Sequence, residues 1–148
     1  MRLIKPILFI LAMGAAFGTT AGTLVTKPSQ HSVKETMDRL ETIVKGKGMT
    51  VFARIDHRAN AEKIGEKMPS AEVLIFGNPK MGTRIMLRDV RAGLDLPVRI
   101  LIYRDFDGKT WIAYHNPQDL KASYNEEGCI AIDQMEKALQ ALTDAAAK

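Results

Sequence analysis

Cysteine is nearly absent: Cys129 stands alone among 148 residues, so no intramolecular disulfide can form and stability must come from packing. No basic residue lies within three positions of it to favour a thiolate, so a buried, inert thiol is expected, with an intermolecular disulfide as the alternative. Aromatic residues make up only 6%. Tyr103, Trp111 and Tyr114 therefore read as sheet-face packing, with a hairpin tyrosine able to keep its hydroxyl beside a cleft. There is no G-x-S-x-G elbow, no zinc-protease histidine pair and no dinucleotide fingerprint. His31, His57 and His115 are scattered, and Met37, Met68 and Met135 fit core stripes, so no dedicated zinc or copper site is expected and any cofactor stays unknown.

Long apolar runs are also missing, apart from Ile7 to Gly18 behind Arg2 and Lys5. That run falls short of the roughly 20 residues a bilayer span needs and reads as an export signal. Thr19 and Ala21 form a small-residue cleavage site, so residues 1–21 are expected to be removed, leaving a periplasmic or secreted chain from Gly22 with no membrane span. A retained N-terminal anchor is the alternative. The formal charge of +4 includes Arg2 and Lys5, so the mature chain is only weakly basic and nucleic-acid binding loses its main support. Residues 22–148 suffice for one hydrophobic core, and hence one domain.

Residues 22–29 read as a first strand. Ser32 and Glu35 form a capping box, and Val33, Met37, Leu40 and Val44 follow at helical spacing. Residues 49–56 alternate as a strand, residues 57–68 suggest a short helix interrupted at Gly65, and "SAEVLIFG" is the best candidate for a central strand. A helix is expected over "TRIMLRDVRAGLDL", then a hairpin turning at Asp107-Gly108. A second capping box, Ser123 with Glu126, would open a C-terminal amphipathic helix carrying Ile132, Met135, Leu139 and Leu142. This order indicates an α+β fold: a mostly antiparallel four- to five-stranded sheet with two long helices packed on one face, plus short helices.

The stretch "LIFGNPKMGT" ends a strand in a turn rich in Gly, Asn and Pro. It lacks the Gly-Lys-Ser/Thr ending of a phosphate loop, because Lys80 precedes Met81 and Gly82. Two readings remain: a strand terminator, or a weaker anion site with Gly82 and Thr83 at a helix N-terminus beside Lys80. Asp56 and His57 invite an acid–base reading, but neighbours on a strand point to opposite faces, and Asp56 is expected to cap the next helix.

Taken together, "VFARIDH", "LIFGNPKMGT", "LDLPVRILIYRDFDG" and "TWIAYHNP" resemble the bacterial and archaeal family called domain of unknown function 302, in order over nearly the whole mature chain. The resemblance implies a compact β-α-β-β-β-β-α fold with extra short helices, usually a homodimer, and no established reaction. It emphasises Asp56, His57, Phe76, Gly77, Asn78, Pro79, Lys80, Gly82, Thr83, Leu94 to Pro97, and Tyr114. Family members often carry a histidine shortly after the segment matching "NPQDL", where this chain reads "KASYN", and Tyr124 is a poor substitute for it in any histidine-dependent activity.

The expectation is an exported homodimer binding a small molecule or anion, in a pocket formed by Asp56, His57, Asn78, Lys80, Gly82, Thr83 and Tyr114. One rival is a small enzyme using His57 as general base with Lys80 and backbone amides stabilising an anion. The other is a purely structural, dimerising role.

Overall fold

The computed structural model describes residues 22–124 and 129–148. The expected export signal lies outside the described residues, as does Glu126 of the second capping box.

Among the described residues, alternating side chains build five strands: β1 (Leu24–Ser29), β2 (Thr50–Asp56), β3 (Ala71–Gly77), β4 (Val98–Arg104) and β5 (Thr110–His115). They form one sheet in the order β1-β5-β4-β3-β2, with every neighbouring pair antiparallel. The β4–β5 hairpin turns at Gly108, whose φ of 84° suits a residue without Cβ. Asp105 locks the turn by accepting from the Lys109 amide at 2.8 Å and the Trp111 indole at 2.7 Å. Pro28 lies in β1, an edge strand, where a missing amide donor is tolerated.

Two long helices among the described residues cover one face. In α1 (Val33–Gly46), the Ser32 hydroxyl accepts from the Glu35 amide at 3.2 Å, which satisfies an otherwise orphaned donor. Met37, Leu40 and Val44 then turn inward at helical spacing. In α5 (Ile130–Ala147), Ile132, Met135, Leu139 and Leu142 do the same. Both stripes meet Leu74, Phe76, Ile100, Ile102 and Ile112 of the sheet. Each such side chain contributes about 1.5–3 kcal/mol on leaving water, so this seam dominates the stability. Arg39 donates to the Ala145 and Ala146 carbonyls at 3.2 and 3.3 Å and closes the free end of α5.

Short helices fill the ends: α2 (His57–Lys63), α3 (Pro79–Met86) and α4 (Asp119–Ser123). Asp56 caps α2 as expected, accepting from the Ala59 amide at 2.9 Å. The expected helix from Thr83 onward is different in two ways. It starts at Pro79, because the Asn78 side chain accepts from the Lys80 amide at 3.0 Å and Pro79 presets the first helical φ. It stops at Met86, and a separate 3-10 turn, Val90–Leu94, begins where Asp89 captures the Arg91 amide at 2.9 Å. Ser123 ends α4 rather than capping α5, which starts after Cys129, and Met68 is 39% exposed rather than part of a core stripe.

Among the described residues, no long helix packs on the opposite sheet face. Ile55, Val73 and Leu101 stand there in register, half-buried, with Tyr103 beside Trp111. Among the described residues, no helix is long and apolar enough to cross a membrane.

Candidate functional site

At the end of the sheet where β3 stops and β4 starts, the layers part around a cavity of about 290 Å³. That is roughly twice the 150 Å³ of an engineered apolar cavity that holds benzene. Its wall is contributed by α3, α5, the start of β2 and the Leu96–Pro97 segment. Four methionines line it, Met49, Met81, Met86 and Met135, together with Phe52 and Phe76. Among the described residues, Asn78 and Thr83 are the only polar side chains in the wall, and the Asn78 side-chain oxygen is engaged in capping α3. Gly77 keeps the end of β3 slim: a Cβ there would stand 3.4 Å from Pro97 Cβ and 3.8 Å from the Phe52 ring. Phe52 itself is 57% exposed and forms part of the rim.

Thioether side chains are unbranched and polarisable, so a methionine-rich wall adapts to ligands of different shape. A nearly all-apolar surface offers little to an ion, since few groups could replace its hydration. The arrangement therefore suits a mostly apolar molecule, with one or two hydrogen bonds available at Asn78 and Thr83.

The expected pocket is divided by the strand register. Thr50 pairs with Gly77 whereas Asp56 pairs with Glu72, so β2 carries Asp56 and His57 to the opposite end of the sheet from Asn78. Of the expected residues, Asn78, Gly82 and Thr83 line the cavity. Lys80 is exposed and outside the wall; it lies in the first turn of α3, and Gly82 and Thr83 sit further along the helix, not at its N-terminus. Asp56 lines a separate polar depression with Lys34, Arg54 and Arg58. Tyr114, expected near a cleft, is 4% exposed in the core, and its hydroxyl finds no hydrogen-bond partner among the described residues. A His57–Lys80 catalytic pair is not assembled.

The methionine wall is not legible in the sequence because it joins three separate stretches, Met49 before β2, Met81 and Met86 in α3, and Met135 in α5, and the five-residue spacing within α3 is not that of one helix face. Only the unusual abundance of Met in a small chain could have signalled it.

A second, polar hollow of about 260 Å³ shares Val98, Met135 and Leu139 with the cavity. Arg99, Asp95, His115 and Asp119 line it. Asp119 accepts from the Thr23 amide at 2.6 Å, and Asp95 from the Tyr124 hydroxyl at 2.6 Å. That bond to Asp95 holds the Tyr124 pKa above its ordinary value.

The fold and cavity define a small α+β sandwich with a ligand-sized apolar hollow at one end of its sheet. The chain belongs to the family described as domain of unknown function DUF302, which matches residues 25–146. A solved structure of an uncharacterized conserved DUF302 protein from Bacillus stearothermophilus has the same fold, with a TM-score of 0.75 at 23% identity over 84% of this chain and 98% of that one. Over 94 residues, 64% of this chain, it is 46% identical to a protein named fluoride-specific ion channel FluC 1 from Brucella suis biovar 1, covering 37% of that protein. A FluC 1 protein from Brucella abortus biovar 1 shares the same identity over 94 residues, 35% of its length. The chain thus spans about a third of the length of the curated relatives it matches.

Proposed function

We propose that this protein is an exported binding module whose ligand is a mostly apolar small molecule held in the methionine-lined cavity. The carrying observation is the wall itself: four methionines and two phenylalanines around about 290 Å³, with two polar side chains to orient a guest. The Lys80 anion site of the sequence reading gives way to an apolar one. Fluoride, named in the Brucella relatives, is a poor guest for such a wall, because its lost hydration would go uncompensated.

Gly82 gives the test. It lines the cavity within α3, and a Cβ there meets nothing within 4 Å. Gly82→Leu should fill the hollow while favouring the helix. Titration with the fluorescent apolar probe N-phenyl-1-naphthylamine should show saturable binding to the wild type, weakened at least about tenfold in the variant. Unchanged affinity in a folded variant rejects the cavity as the site. Export is checked by sequencing the N-terminus of the secreted protein, where an intact Met1 would defeat cleavage after Ala21.

A second reading, homodimerisation, is favoured by the sheet face with half-buried Val73, Leu101 and Trp111, on which no long helix packs among the described residues. Sedimentation equilibrium should give a dimer that Leu101→Glu converts to a folded monomer. A monomeric wild type would remove this reading.

A further inference from the structure

Three large aliphatic side chains stand in water within one short segment: Leu87, Val90 and Leu94 are 81%, 77% and 80% exposed. They are not displaced core residues, because the same segment already anchors itself through Ile85 and Ala92, both fully buried. The segment exposes large apolar side chains in addition to the ones it buries, which a chain surrounded only by water does not need.

Charge accompanies the apolar residues. Between positions 80 and 95 the chain carries Lys80, Arg84, Arg88 and Arg91 against Asp89 and Asp95. Asp89 and Arg91 neutralise each other at 2.6 Å, and the segment keeps a positive balance with Lys80 and Arg84 exposed. Exposed aliphatics flanked by cations are the composition of a surface that enters the headgroup layer of an anionic bilayer. The position in the fold agrees: Leu87 follows the cavity-wall residue Met86, and Leu94 lies two residues before the wall residue Leu96.

We propose that the 80–94 segment is a membrane-seating surface for anionic phospholipid bilayers. Leu87, Val90 and Leu94 enter the acyl boundary, and Lys80 and Arg84 lie among the headgroups. Such seating would bring the mouth of the cavity close to a source of apolar molecules, yet it depends on different residues and stands whether or not the cavity binds a guest.

The test is flotation of the mature protein with vesicles of phosphatidylglycerol mixed with phosphatidylcholine, compared with vesicles of phosphatidylcholine alone. The protein should float with the anionic vesicles, less so with the neutral ones, and raised salt should release it. Leu87→Asp combined with Leu94→Asp should lower the bound fraction at least about tenfold. Lys80→Glu combined with Arg84→Glu should remove the preference for anionic vesicles. Circular dichroism and retained binding of N-phenyl-1-naphthylamine or an unchanged melting temperature would show that the variants remain folded. No flotation of the wild type, or equal flotation of folded variants, overturns the proposal. So does a change in sedimentation mass without a change in flotation, because the patch would then be a contact between copies.

Discussion

The Tyr124 hydroxyl donates to the Asp95 carboxylate at 2.6 Å across 29 positions of sequence. Asp95 ends the 3-10 turn and immediately precedes Leu96 and Pro97, which form part of the cavity wall. The bond therefore ties the end of α4 to that wall. Tyr124→Phe should leave the core intact and speed hydrogen exchange at the Asp95 and Leu96 amides, which both donate to the Ala92 carbonyl. Because the Tyr124 pKa is raised, the bond's contribution is fully present below the ordinary tyrosine value of about 10 and is lost as pH climbs through the raised one. Unchanged protection in the variant would show that the wall is held by other contacts.

Arg54 joins three carboxylates, Asp38 at 2.7 Å, Glu41 at 3.1 Å and Glu72 at 2.7 Å, and so pins α1 to β2 and β3. Burial opposes its charge, but hydrogen bonds to Asp38, Glu72 and Glu41 outweigh burial and raise its pKa. Arg54→Met leaves the nearly buried Glu72 without its cation and should destabilise the fold by about 2 kcal/mol, discounted for partial exposure. Denaturant titration measures this.

The same cluster sets an acid limit. The Asp38 pKa is lowered by its bonds to Lys34 and then Arg54, and the Glu41 pKa by Lys45 and then Arg54. Lowered carboxylate pKa values give stability that is present above the ordinary range near pH 4 and lost as pH falls through the lowered values. Melting temperature should therefore fall on acidification below about pH 4, and less steeply in Arg54→Met. Parallel curves for the two proteins would contradict the assignment.

Tyr114 buries a hydroxyl that finds no partner among the described residues. Tyr114→Phe removes an unsatisfied polar group without changing the ring, and should raise stability by about 1 kcal/mol. A loss of stability would reveal a partner for the hydroxyl, such as an ordered water.

Strands, caps and turns are legible in this sequence because their causes are local. Ser32 caps α1 through the amide of Glu35, only three residues away, and Gly108 turns the hairpin where Asp107-Gly108 announces it. The bounds of α3 are less legible: the Asn78 cap and Pro79 start it ahead of the apolar spacing that begins at Ile85, and Asp89 breaks that spacing before it ends. The family resemblance was carried by ordered motifs and extends over residues 25–146.

The functional site is another matter. By itself the sequence determined the family, the α+β class and most element positions, since these follow from contacts among near neighbours. Only the tertiary structure decided that Asp56 and His57 lie at the far end of the sheet from Asn78, because antiparallel pairing reverses direction along β2 and β3. The same long-range packing brings Met49 and Met135 to one cavity with Met81 and Met86 of α3, a convergence of three separate stretches of chain that no local spacing could encode.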